Sequence, residues 1–245
     1  MESHVMRLGI NGAAGHMGRA LQTLLRGDAR FELVACIGAS GEWHDAPELD
    51  VVVDFSSPAG FDAALARCVA HKIAFVSGTT GLGEKQCKAV GEAARVIPVL
   101  CAANFSLGIA VLTRVLREAA AALPGWDLEI VEAHHARKVD APSGTALALG
   151  RAAAAARGQE FDGVAVHARH GQVGARPAGA IGFASIRAGD IVGEHTAILA
   201  TAGERLELSH RATDRAIFAR GALTAAAWLA GEPPGTYTLD DVLGR

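Results

Sequence analysis

Over the first hundred or so residues, short apolar runs alternate with amphipathic ones, and this alternation narrows the fold before any single residue is considered. MRLGING, FELVACIGA, LDVVVDFSSP, IAFVSGTTGL and IPVLCAANFS are of strand length and rich in Val, Ile and Leu. In AAGHMGRALQTLLRG, FDAALARCVAHK and GEKQCKAVGEAARV, the apolar residues fall at helical spacing instead. A strand that is apolar throughout, rather than on alternate residues, is covered on both faces. Such strands, separated by helices and joined by short Gly/Ser/Thr loops, predict an open parallel sheet.

The pattern changes at LGIAVLTRVLREAAAAL, a long helix. WDLEIVEAHH follows as a half-alternating strand, and SGTALALGRAAAAARG as a second long helix. IGFASIRAG, GEHTAILATAG and ERLELSHRA then meet at Gly-Asp and Ala-Gly turns with no helix between them, which predicts antiparallel hairpins. DRAIFARGALTAAAWLAG is a last helix able to return to the first domain, and a short tail ends the chain. The expected fold is therefore α/β. A Rossmann-type parallel-sheet domain spans residues 1–105 plus 216–245, and a smaller α+β antiparallel-sheet domain spans 106–215.

Composition excludes several functions. The formal net charge of −3 provides no basic field for nucleic acid or an anionic membrane. No apolar run reaches the roughly 18 residues of a membrane span, and no leader is read in the opening residues, so the cytoplasm is the expected location. Cys36, Cys68, Cys87 and Cys101 form no CxxC pair, so no metal site is expected. Three of the four lie in or beside apolar runs and read as reduced core residues.

The first strand runs into GINGAAGHMGRA, which places Gly12, Gly15 and Gly18 three apart. Between a strand and a helix, such glycines make a tight turn and bring backbone close to a pyrophosphate. The phosphate is favoured there by unpaired helix N–H groups and the helix dipole. The predicted dinucleotide contacts are Gly12, Ala13, Ala14, Gly15, His16 and Met17. Gly78, Thr79 and Thr80, and Ala102, Ala103, Asn104 and Phe105, follow later strands at the same carboxyl edge and join that set. The acid that would hold a ribose is expected after the second strand, but Ile37-Gly38-Ala39-Ser40 offers no carboxylate before Glu42. The cofactor is accordingly expected to be NADH or NADPH, with no preference written into this stretch.

EAHHARKVDAPSGTA, Glu132 to Ala146, gathers polar and cationic residues beside a helix start. On a persisting strand His134 and His135 would face opposite ways, whereas a strand end relaxes that. Ser143 is the expected N-cap, and Gly144 and Thr145 occupy a first turn, where N–H groups have no intrahelical acceptor and point outward. Lys138 adds a full positive charge, and histidine exchanges a proton near neutral pH. The stretch reads as a receptor for an anionic substrate with proton-transfer groups beside it. Adjacent histidines are poorly spaced for chelation, which argues against a metal.

That stretch resembles the signature of the 4-hydroxy-tetrahydrodipicolinate reductase (dihydrodipicolinate reductase) family of lysine and diaminopimelate biosynthesis. GAAGHMGR, VDFSSP, GTTG, AANFSLG and GFASIRAGDIVGEHTAIL resemble the family's other blocks, in its order and over nearly the whole chain. The resemblance implies hydride transfer from NADH or NADPH to a small cyclic imine bearing two carboxylates, in a homotetramer assembled through the C-terminal domain. It implies that His134 and Lys138 are catalytic and that His135, Ser143, Gly144 and Thr145 bind substrate. Gly12–Met17, Gly78–Thr80 and Ala102–Phe105 match the family's cofactor contacts. Gly38-Ala39 replaces a Glu-Arg often found there, and His16 stands where Arg is common, so the family's cofactor preference does not carry over.

Overall fold

The computed structural model describes residues 5–38 and 48–244. It divides into two compact units. One takes the chain through Leu107 together with everything from Ala216 on, and the other is Gly108–Arg215.

The first unit is a sheet of six parallel strands with helices on its faces. In chain order these are β1 (Met6–Asn11), α1 (His16–Leu25), β2 (Phe31–Ile37), β3 (Val51–Asp54), α2 (Pro58–His71), β4 (Ala74–Ser77), α3 (Glu84–Ala93) and β5 (Pro98–Cys101). The described strand order is β2-β1-β3-β4-β5, and a sixth strand from the chain's end lies beyond β5. Val51, Val52, Val53, Phe75, Val76 and Val99 are all buried, as strands covered on both faces require. Ser57 caps α2 by accepting the Gly60 N–H, and Pro58 follows at the first helical position. The order reverses between β1 and β3, and ligands of open α/β sheets bind outside the carboxyl ends of the strands at such a point.

The second unit holds α4 (Leu107–Ala122, entering from the first unit), β6 (Asp127–His134), α5 (Gly144–Ala156), α6 (Phe161–Val164), β7 (Ala165–Val166), β8 (Ile181–Arg187), β9 (Gly193–Thr201) and β10 (Glu204–Ala212). Ile109, Leu112, Leu116 and Ala120 on α4 and Ala146, Leu149 and Ala153 on α5 pack onto Leu128, Ile130, Ile181, Phe183, Ala197 and Leu199 of the sheet. The spacing on α4 is three, four and four residues, one helical stripe.

This sheet departs from the antiparallel expectation. Its order is β10-β9-β6-β8-β7, and β6 lies parallel to β8 but antiparallel to β9. β9 and β10 do form a hairpin, closed by Ala202-Gly203 with Gly203 at φ +89°. β8 and β9 do not pair, because β6 is inserted between them. The segment 188–192 therefore crosses two strand spacings, roughly 10 Å, within the reach of five residues.

The chain then re-enters the first unit as α7 (Ala216–Leu229), β11 (Gly235–Tyr237) and α8 (Leu239–Val242). Ala219, Gly221, Ala222, Ala225 and Ala226 are buried, so α7 lies close to the sheet. A Cβ at Gly221 would strike the Phe105 carbonyl oxygen. β11 is the sixth parallel strand, paired with β5, in what reads from sequence as a tail. Of the four cysteines, all free, Cys68 is buried and Cys101 half-buried, whereas Cys36 is exposed. Its strand β2 is the sheet edge, which corrects the expectation of a core thiol there.

Candidate active site

At the carboxyl edge of the first unit's sheet, Asn11, Asp54 and Ser77 end three adjacent strands. Asp54 is fully buried, and its carboxylate accepts from Asn11 Nδ2 (2.8 Å), Ser56 Oγ (2.5 Å), Ser77 Oγ (2.6 Å) and Thr79 Oγ1 (2.8 Å). Four neutral donors thus replace the water that a buried carboxylate loses. The Thr79 hydroxyl also accepts the Ser56 N–H at 3.0 Å, which binds the β3 and β4 loops together.

The glycine-rich turn lies on this platform. Gly12 has φ +81°, and a Cβ there would stand 2.3 Å from the Phe55 carbonyl oxygen. A Cβ at Gly18 would lie 2.4 Å from the Gly12 carbonyl, so α1 packs directly onto the turn. The amides of Gly12 and Ala13 both donate to the Ile37 carbonyl at 3.0 Å, and that of Gly15 to Gly12. The outward-facing donors are therefore those of the first turn of α1, beginning at His16 and Met17, which have no intrahelical acceptor. Ala14, Gly15 and His16 are exposed, and Arg19 folds back onto the Ala14 carbonyl. An exposed helix start at the point where strand order reverses fits a dinucleotide phosphate.

The other expected cofactor residues divide into two groups. Thr80 and Ala103 are exposed, and Gly78, Ala102 and Asn104 are partly so. Ala13, Thr79 and Phe105 are buried, and their side chains pack within the fold. The Thr79 hydroxyl is held by Asp54 and Ser56, and the Phe105 ring stands edge-on to Phe55 at 5.6 Å. Phe55 in turn fills the space a Cβ at Gly78 would need. Gly38 ends the described part of its loop, and Ala39, Ser40 and Glu42 lie outside the described residues.

In the second unit, β6 ends at His134, and the chain turns at His135 into the loop that leads to α5. Glu132, two residues before His134 on the same face, is buried. Arg187 of β8 grips it with two bonds, Nη1 to Oε2 (2.8 Å) and Nη2 to Oε1 (2.7 Å). Oε1 also accepts the Ser143 N–H (3.1 Å), and Oε2 accepts His134 Nδ1 at 2.6 Å. Burial raises the Glu132 pKa, but hydrogen bonds from Arg187, Ser185 and His134 outweigh it and hold the group down to about 2. The ring of His195 stands edge-on to His134 at 5.2 Å, and its Nε2 lies 3.1 Å from Ser143 Oγ.

Ser143 caps α5, its oxygen accepting the Ala146 N–H at 3.1 Å. Ser143, expected from the sequence to contact substrate, is buried; its amide is held by Glu132, and its hydroxyl meets Ala146 and His195. Gly144 is exposed and Thr145 half-buried in the first helical turn. Lys138 Nζ pairs with Asp140 Oδ1 at 2.8 Å, and the Ala141–Pro142 bond is cis. His135 has its pKa lowered by burial and then by the nearby cations Arg215, Arg137 and Lys138, a concentration of positive charge suited to carboxylates. Glu132, Arg187, His195 and Arg215 thus join the residues that the sequence singled out. Among the described residues, no group of His, Cys, Asp or Glu is arranged to hold a metal.

His195 is pushed down to about 4, first by burial and then by His134, against an opposing pull from Glu132. Its folded-state pKa lies below the ordinary 6.5, so its contribution to stability is complete above 6.5 and declines as pH falls toward 4. His135 and His210 shift the same way and steepen the slope, and Glu132 adds a second loss between 4.5 and about 2. Urea unfolding at a series of pH values should show stability falling through this window, with His195→Gln flattening its upper part. A pH-independent wild-type stability across it would contradict the buried neutral imidazole.

A parallel sheet with a glycine turn at its switch point, joined to a second unit carrying an oriented histidine in a cationic loop, defines a two-unit NAD(P)H-dependent oxidoreductase. The family described as "Dihydrodipicolinate reductase, N-terminus" matches residues 6–105, and "Dihydrodipicolinate reductase, C-terminus" matches 108–243. The 4-hydroxy-tetrahydrodipicolinate reductase of Xanthomonas campestris pv. campestris is 46% identical over 258 aligned positions, which cover 99% of this chain and 100% of the relative. That of Zymomonas mobilis is 45% identical, with 98% and 97% covered. A dipicolinate-bound dihydrodipicolinate reductase from Paenisporosarcina sp. TG-14 shares the fold, with a TM-score of 0.79, 23% identity and coverage of 96% and 98%. The chain belongs to the 4-hydroxy-tetrahydrodipicolinate reductase family.

Proposed function

We propose that the protein reduces 4-hydroxy-tetrahydrodipicolinate to tetrahydrodipicolinate with NADH or NADPH, in lysine and diaminopimelate biosynthesis. The observation that carries this reading is the loop 134–145. It places a histidine fixed by a buried carboxylate beside Lys138 and the start of α5, amid the cations around His135. The α1 turn, from Gly12 to Met17, would hold the dinucleotide, whose chemistry would be hydride transfer. The amides of Gly144 and Thr145, with Lys138 and His135, receive the substrate carboxylates. For this, Asp140, which is half exposed and accepts from Lys138 and from the Gly144 amide, must turn toward water and release both. Once the 4-hydroxyl has left as water, His134 or Lys138 donates the proton that quenches the electron density the hydride leaves on the conjugated ring. Oxidation of the reduced dinucleotide, coupled to freshly made product of dihydrodipicolinate synthase, tests the reading. No turnover there, with turnover on an aspartate-like substrate, would favour a different dehydrogenase, and binding without turnover would favour a regulatory protein.

The cofactor reading rests on what Gly38-Ala39-Ser40 lacks. No carboxylate repels a ribose phosphate, and no arginine attracts one. NADH and NADPH should therefore be used with kcat/KM values within about tenfold, a gap of ~1.4 kcal/mol. Parallel measurement with both cofactors decides this, and a preference above about a hundredfold would refute it.

Assembly as a homotetramer is supported by the outer face of the second unit's sheet. Val131, Ala184 and Ile198 lie on that face with Ile186, which is 49% exposed, while the opposite face is covered by α4 and α5. The same face carries Glu129 and Glu194, each paired with an arginine, and the Thr196–Ser209 hydrogen bond, so an apolar strip lies among polar groups, an arrangement that suits a second copy. Light scattering should give a tetramer at micromolar concentration, and a monomer would count against the reading. The chain's membership of a biosynthetic family, and the absence among the described residues of any helix able to cross a membrane, support a cytoplasmic place of action.

A further inference from the structure

We propose that Glu132 is the positioning residue of proton transfer: it fixes the ring of His134 so that Nε2 is the single atom through which a proton is exchanged. This rests on the reading of His134 as the proton-exchanging group and decides between the two nitrogens of that ring.

The argument is one of donors and acceptors. The Glu132 side chain has no solvent exposure, and every partner it has is a donor. An ionised carboxylate has no proton to give, so the 2.6 Å bond to His134 requires the hydrogen to sit on Nδ1. In the neutral ring the lone pair is then on Nε2, which takes up a proton from solvent before passing it on. Beside that nitrogen is Gly193, where a Cβ would stand 3.1 Å away, so the glycine keeps space open for a reacting group.

Arg187 makes the arrangement rigid. It neutralises Glu132 and prevents it from rotating, and is itself tied to the carbonyls of Ile186 (2.8 Å) and Asp140 (2.6 Å). The same carboxylate holds the Ser143 amide at the cap of α5.

Two measurements test this on the full-length protein. Ring-nitrogen NMR of isotope-labelled histidine, with His134 identified by its loss in His134→Gln, should show wild-type His134 keeping its proton on Nδ1, with Nε2 the nitrogen that gains and loses one. The opposite tautomer overturns the proposal, and this readout needs no variant of Glu132 to fold. Kinetically, Glu132→Gln should lower kcat by about 10- to 100-fold, with KM for either substrate changed less than about threefold. In the His134→Gln background the same substitution should cost no further kcat, because it acts through that ring. Losses that multiply would show a merely structural role and overturn the proposal. Wild-type kcat in His134→Gln alone would instead defeat the reading on which it rests.

Discussion

Gly12→Ala should leave the protein unable to bind a reduced dinucleotide and should lower the stability of the first unit by several kcal/mol. Two costs coincide at this position. The backbone is held at φ +81°, where an L side chain is strained, and the added carbon would lie 2.3 Å from a backbone oxygen of Phe55 that cannot swing aside. Relief requires β3's loop to retreat, and that loop carries Ser56, one of the donors to Asp54. Gly27→Ala is the matched control, since its Cβ would meet nothing within 4 Å. Dinucleotide titration by fluorescence, with thermal melting of both variants, decides the matter. Binding and melting of Gly12→Ala equal to those of Gly27→Ala would refute the account.

The second large effect concerns chemistry. His134→Gln should lower kcat by about 10²–10³-fold with little change in substrate affinity, the scale at which a positioned acid or base acts. Lys138→Ala should lose most turnover and also raise KM, because it removes a charge intended for a carboxylate. The distinction follows from their surroundings. His134 is clamped by Glu132 and is mostly enclosed, whereas Lys138 is on a mobile-length side chain and its partner Asp140 is half exposed. Steady-state kinetics of both variants tests the pair, and wild-type constants in both would refute it.

The first unit was largely legible because its strands are covered on both faces and so announce themselves as unbroken apolar runs. β11 was not, since three residues, Gly235–Tyr237, carry no pattern and become a strand only because β5 offers an edge. The mixed second sheet was hidden for a different reason. Whether β8 pairs with β9 or with β6 is settled by packing across more than fifty residues of chain, which turn residues between β8 and β9 do not encode.

In the site, His134 and Lys138 stood out because polar groups crowd one short loop. Glu132 did not, although it opens that loop, because a carboxylate at an alternate strand position looks like any solvent-facing residue. What makes it different is Arg187, 55 residues further on. Asp54 was missed likewise: at the end of Val51-Val52-Val53 it reads as the punctuation of a strand, and its four donors come from three other segments.

The second unit is an insertion within the first, and this gives synthesis an order. A nascent chain emerges from β1 onward, but α7 and β11, which complete the first unit, follow only after Gly108–Arg215 has been made. The guest is continuous and can close as soon as it is out, while its host waits with one sheet face lacking a helix and the β5 edge unpaired. An open apolar face and a bare strand edge are what sticks to other chains. The interval between the ribosome delivering β5 and delivering α7 is therefore when the host's open face and bare strand edge are exposed, and a message cut short just after Arg215 leaves a finished guest on an unfinished host.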